Sequence, residues 1–281
     1  MLDKSIPIKY IHVNGYRIRY LDFNYQNNND DYYQSRENHK KVLILLHDMV
    51  FSAEIWIPIV PQLSKYFRVI IPDIICLGYS DRPTVEYTTD FFLESLKGFV
   101  ENLSIDKFSM VGASFGAYLA SEFATIRYNN RIEKLILAAP AGMMRSSAHN
   151  LDQYIMAGLY TTYQNAHKAF SDMVYDPSVI TEDIIRDFLN RMRLPNAKYV
   201  FMSILLGLAN SRRIKRRLSA ILSPTLLIWG DNDKIIPLQY AIEYTNEIPN
   251  CTLIVINGCG HLPYIEKPLE FSNEVIKFLI G

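Results

Sequence analysis

Six short, continuously apolar runs dominate the chain: Val42–Leu46, Phe67–Ile71, Phe108–Val111, Leu135–Ala138, Leu226–Trp229 and Leu253–Ile256. Continuous apolarity, in place of in–out alternation, marks strands buried on both faces, as in a parallel sheet. Helix-length segments separate most of them: Ala53–Lys65, Thr89–Leu103, Phe115–Tyr128, Leu238–Glu247 and Lys267–Leu279. Strand and helix alternating in this way predict an open, mostly parallel α/β sheet with helices on both faces. Ahead of that pattern, Asn14-Gly15 lies between two half-alternating runs and predicts a hairpin with a type I′ turn. The polar tract Asn24–Lys41 carries too little apolar surface to order itself and reads as an exposed loop.

One interval breaks the rhythm. Between Ala139 and Thr225 lie about eighty residues with helical periodicity, rich in Met and Tyr and without a strand pattern. This predicts a helical cap over residues 140–222, inserted into a core made of residues 1–139 and 223–281.

Hydrophobic residues make up 49% of the 281 and charged residues 21%, which argues against disorder, collagen and coiled coil. Lys plus Arg equals Asp plus Glu at 29 each, so no overall field draws the chain to nucleic acid. The one dense basic run, Asn210–Arg217, reads as the solvated face of a cap helix. Tyr199–Ala209 is the longest nearly unbroken apolar stretch, well short of the ~20 residues that span a bilayer. With no apolar signal core in MLDKSIPIKY and three cysteines (Cys76, Cys251, Cys259), the expectation is a cytoplasmic protein with free thiols. Neither a metal cluster nor a phosphate loop is visible, so no cofactor is expected.

The chemistry gathers at three points. Gly112-Ala113-Ser114-Phe115-Gly116 stands between a buried strand and a helix, the context that gives G-x-S-x-G its meaning. A tight turn there projects the Ser114 hydroxyl off the sheet edge, and the amides opening the helix face a developing oxyanion. A serine needs a base, and the base needs an orienting acid. Asp231 and Asp233 follow the strand Leu226–Trp229; His261 follows the last strand in a glycine-flanked loop. Singly, Ser114 reads as a helix N-cap, His261 as a surface histidine and either aspartate as a turn residue. In order, each just beyond a buried strand, they read as a catalytic triad.

At these residues the chain resembles the α/β-hydrolase family over nearly its whole length. The likeness rests on GASFG, WGDNDKIIP, GCGHLPYIEKP and the loop Asp73–Asp81, similar to the family's D-x-x-G-x-G-x-S. The resemblance implies an α/β-hydrolase fold, and it selects Asp233 as the acid, with Asp231 the fallback. It also implies an oxyanion hole made by the backbone amides of Met49 and Phe115. Asp48 stands where the family carries glycine in His-Gly-X, bringing a carboxylate to that hole unless its side chain turns outward. Cys76 replaces another usual glycine and reads as packing. A serine at the elbow sets the chain apart from relatives that open epoxides or remove halide with aspartate.

The leading expectation is a hydrolase of carboxylic esters of an apolar acyl or aryl group, acting through an acyl-enzyme. Tyr154, Met156 and Tyr175 are the cap residues nominated to line the substrate site. The stretch Val174–Ile184 is similar to the lid of hydrolases that cleave carbon–carbon bonds in ring-fission products, which makes that reaction the alternative. Those enzymes carry Asn before the nucleophile, Arg in the lid and Trp after the histidine, where this chain has Ala113, Phe188 and Leu262; Arg186 lies two positions from the expected arginine. A non-catalytic binding protein on the same fold is the third reading, with Asp48 the feature in its favour.

Overall fold

The computed structural model describes residues 6–24, 41–125, 130–143, 151–210 and 214–281. The apolar runs become strands: β1 Ile8–Val13, β2 Tyr16–Phe23, β3 Val42–Leu46, β4 Arg68–Pro72, β5 Phe108–Ala113, β6 Ile132–Ala138, β7 Thr225–Gly230 and β8 Cys251–Ile256. They form one sheet in the order β1-β2-β4-β3-β5-β6-β7-β8. The hairpin β1–β2 is antiparallel, with Val13 opposite Tyr16. Asn14 and Gly15 both hold positive φ (52° and 85°), as a type I′ turn requires. β2 joins β4 antiparallel, and every pairing from β4 to β8 is parallel. Because β3 lies between β4 and β5, strand order reverses there. That reversal opens a crevice at the C-terminal edge, between the loops after β3 and β5.

The helices are α1 Val60–Leu63, α2 Thr89–Asn102, α3 Phe115–Thr125, α4 Leu151–Leu159, α5 Tyr163–Met173, α6 Glu182–Met192, α7 Ala197–Asn210, α8 Lys215–Leu218, α9 Gln239–Glu247, α10 Pro263–Glu266 and α11 Pro268–Ile280. α4 to α8 fall between β6 and β7, with no strand among the described residues there. No helix among the described residues is long and apolar enough to cross a membrane.

Three expectations need correction. The helix anticipated over Ala53–Lys65 is a 3₁₀ segment, Ala53–Ile59, followed by the single turn α1. Pro58 and Pro61 each remove a backbone donor, so a continuous α ladder cannot form. β8 is not covered on both faces: it pairs with β7 alone and is a half-exposed edge, with Val255 36% accessible. The helix anticipated from Lys267 begins at Pro268, behind the short α10. The end of the helix expected to reach Tyr128, and most of the Asn24–Lys41 tract, lie outside the described residues.

Candidate active site

At the end of β5 the backbone of Ser114 turns into the left-handed region, φ 50°. Its amide donates to Ala138 O at 2.9 Å, and its carbonyl accepts from Tyr118 N, which starts α3. Glycine is needed on both sides. A Cβ on Gly112 would stand 2.5 Å from Ala117 Cα, and one on Gly116 2.4 Å from Leu46 O. The second approach brings the N-terminus of α3 against the loop leaving β3, so amides from both converge. Ser114 itself is nearly buried.

Across the crevice, Asp233 and His261 meet. Asp233 Oδ1 accepts the amides of Ile235 and Ile236, both at 2.8 Å, which leaves Oδ2 for His261 Nδ1 at 2.7 Å. Asp231 has a different task. Its Oδ1 takes Cys259 N at 3.2 Å and Asn232 Nδ2 at 2.6 Å, tying the two loops together.

The histidine loop is also clamped from the helical segment. His261 N donates to Met173 O at 2.6 Å, and Glu266 accepts Gly260 N at 2.8 Å and Tyr175 N at 2.7 Å. Glu266 stands inside the GCGHLPYIEKP motif, but nothing in its spacing assigns it this clamp.

His261 Nε2 is buried and makes no hydrogen bond, so it is not yet joined to the Ser114 hydroxyl. Such contacts commonly tighten only when substrate is bound. Burial alone would lower the imidazole pKa. The Asp233 charge and hydrogen bond, with Asp48 and Glu266 behind them, outweigh burial and raise it.

The two amides expected to receive an oxyanion are already engaged. The Met49 and Phe115 amides do converge, and the atom they meet is Asp48 Oδ1, at 2.6 and 3.3 Å. Asp48 is 1% exposed and turned inward, not outward; its Oδ2 accepts the Tyr154 hydroxyl at 3.2 Å. His47 fixes this loop from behind. Its Nδ1 donates to Asp48 O at 2.7 Å and its Nε2 accepts Ile74 N at 3.1 Å, while burial lowers its pKa and keeps it neutral. Cys76 holds φ 71° in the place of the usual glycine, and burial pushes its thiol up to about 12, which makes it inert packing.

A model of the alpha/beta hydrolase family matches residues 43–274. The chain belongs to the alpha/beta hydrolase family. It is 31% identical, over 85% of its length and 88% of the relative's, to a 2-hydroxy-6-oxononadienedioate/2-hydroxy-6-oxononatrienedioate hydrolase of Pseudomonas putida. A 2-hydroxymuconate semialdehyde hydrolase of Pseudomonas sp. strain CF600 is 28% identical over 80% of each chain. Among solved structures, a meta-cleavage product hydrolase of Pseudomonas fluorescens superposes with a TM-score of 0.82 at 26% identity, covering 96% of this chain and 97% of that one.

Within this hydrolase, the helical segment supplies one of its three nominated residues to the site. Tyr154 is buried, reaches Asp48 and stacks on Phe201. Met156 and Tyr175 are 45% and 57% exposed. On a helix two positions are about 200° apart, so Tyr154 inward puts Met156 outward; Tyr175 lies beyond the end of α5. Arg186 is on the outer face of α6, paired with Glu182 at 2.7 Å, and Phe188 packs against Phe170.

Arg191, which motif reading passed over, is the buried cation of this region. It donates from Nε to Asp187 at 2.8 Å and from Nη2 to Val50 O at 2.8 Å. Asp187 also accepts Tyr79 Oη at 2.6 Å and Ser52 Oγ at 3.2 Å, so α6 is fastened to the loop after β3. Of the basic run, Arg217 pairs with Glu122 at 2.6 Å; residues 211–213 lie outside the described residues. No group of His, Cys, Asp or Glu among the described residues is arranged to hold a metal ion.

Proposed function

We propose that this hydrolase cleaves a carbon–carbon bond beside a ketone in 2-hydroxy-6-oxo-dienoate ring-fission products, with Ser114 as nucleophile, His261 as base and Asp233 as orienting acid. The observation that carries the reading is the 31% identity across 85% of the chain to a hydrolase named for such a substrate. It is supported by the Asp233–His261 hydrogen bond, placed by strand ends on the same sheet edge as Ser114.

In this reading Ser114 Oγ bonds the ketone carbon and its proton passes to His261 Nε2. The carbonyl oxygen becomes an oxyanion facing the Met49 and Phe115 amides. The carbon–carbon bond then breaks, and the leaving carbon keeps the electron pair and takes the proton from His261. A water, deprotonated by His261, releases the acid from Ser114. Residues 140–222 act as a cap over a core of residues 1–139 and 223–281.

The second reading is hydrolysis of a carboxylic ester by the same steps, with an alcohol as the leaving group. One observation favours it: Ala113 and Phe188 stand where the resemblance implies an amide and a cation to hold a dienoate carboxylate, and Arg186 is exposed and bound to Glu182. Measuring kcat/KM for a ring-fission dienoate beside p-nitrophenyl esters of graded acyl length decides between them. A dienoate value at least about tenfold above the best ester is expected, equal to about 1.4 kcal/mol of transition-state preference. The reverse order transfers the assignment to esters. Turnover of neither, with no fluorophosphonate adduct, leaves a binding protein.

A further inference from the structure

The two amides set to receive an oxyanion already hold an anion of this chain. We propose that Asp48 is an internal occupant of the oxyanion hole, held there by Tyr154, which a substrate's carbonyl oxygen must evict before Ser114 reacts. The inference rests on the serine-hydrolase reading and adds a selectivity device to it.

Three observations carry it. Asp48 Oδ1 takes both amides, Met49 N at 2.6 Å and Phe115 N at 3.3 Å, so neither donor is free for a ligand. Oδ2 takes the hydroxyl of Tyr154, on α4 in the helical segment, at 3.2 Å, so the occupant is tied to the element above the site. The carboxylate is 1% exposed, and no Lys or Arg ion pair to it is found among the described residues.

A carboxylate binds amides about twice as strongly as a neutral acceptor. A ground-state carbonyl therefore does not displace it by hydrogen bonding alone. Eviction needs binding energy from elsewhere on the substrate, most directly from a group large enough to press on Tyr154. Small activated substrates lack that group, so Asp48 selects against them.

The test uses a small fluorophosphonate, with labelling of each variant followed on the high-pH plateau of its own pH–rate profile, so that a shifted histidine pKa does not enter. In that reaction Ser114 Oγ bonds phosphorus, fluoride leaves and the hydroxyl proton passes to His261. The second-order labelling rate is measured for the native chain, Asp48→Asn, Asp48→Gly and Tyr154→Phe. Asp48→Asn keeps the shape and removes the charge, so it serves even if Asp48→Gly fails to fold.

Rates rising about tenfold in Asp48→Asn, about 100-fold in Asp48→Gly and about threefold in Tyr154→Phe are expected. Asp48→Asn labelling no faster than the native chain overturns the proposal, and slower labelling makes Asp48 a participant in the chemistry instead. An unchanged Tyr154→Phe rate removes the hold assigned to the cap. Absence of an adduct in every folded variant sinks the serine-hydrolase reading and this inference with it. Labelling at equal rates sinks the inference alone.

Discussion

Two aspartates act on His261, and their surroundings give them opposite consequences. Asp233 has one oxygen fixed by two amides of its own loop, and the other directs His261. Asp48 has one oxygen on the amides of Met49 and Phe115, and the other on Tyr154 of the helical segment. Amides of its own loop anchor the first carboxylate against the imidazole; the second takes the amides of Met49 and Phe115. On one side the imidazole is held by Asp233 with its Nε2 not yet joined to Ser114; on the other the Met49 and Phe115 amides are taken by Asp48.

The proton-transfer side is where substitution should do most. Ser114→Ala and His261→Ala should each lower kcat on the order of 10⁶-fold with the melting temperature little changed, read from steady-state kinetics beside thermal melts. Asp233→Asn should follow, on the order of 10⁴-fold, while Asp231→Asn stays within about threefold. Near-native activity in Asp233→Asn combined with a large loss in Asp231→Asn would reverse the two assignments.

Much of this was legible in the sequence, because it is local. The elbow is five residues with glycine where a Cβ meets backbone, and the order Ser, Asp, His follows from strand ends on one sheet edge. Choosing Asp233 over Asp231 needed the family pattern; in the structure the choice is a matter of which carboxylate lies against the imidazole. The direction of Asp48 was not legible, since a side-chain rotation leaves no trace in spacing. Arg191 and Asp187 carried a faint signal: an i, i+4 ion pair set among Ile185, Phe188 and Met192, which are buried. Pro58 and Pro61 stood in plain view and mark where an apolar run fails to become one helix.

The close contact that brings the start of α3 against the loop after β3 can be broken directly. Gly116→Ala places a Cβ against the carbonyls of Leu46 and His47 and should destabilise by about 1–3 kcal/mol, read as a lower denaturation midpoint in urea. An unchanged midpoint would mean the β3 loop yields freely.

A smaller effect tests how the two carboxylates share His261. Both raise its pKa, so the neutral base is lost as pH falls through a value above the ordinary 6.5. The acid limb of kcat/KM should have its midpoint above 6.5, and Asp48→Asn should move it down while Ser114 remains reactive. A midpoint at or below 6.5 in the native chain would contradict that electrostatic picture. The smallest effects belong to exposed residues of the helical segment: Met156→Ala and Tyr175→Ala should change kcat/KM by no more than about twofold.

The most direct test is peptide mapping by mass spectrometry after long exposure of the folded protein to a fluorophosphonate. A single adduct on Ser114, absent in His261→Ala over the same time, is the predicted result. An unmodified Ser114 in folded protein, or an adduct on another residue alone, would contradict a serine hydrolase.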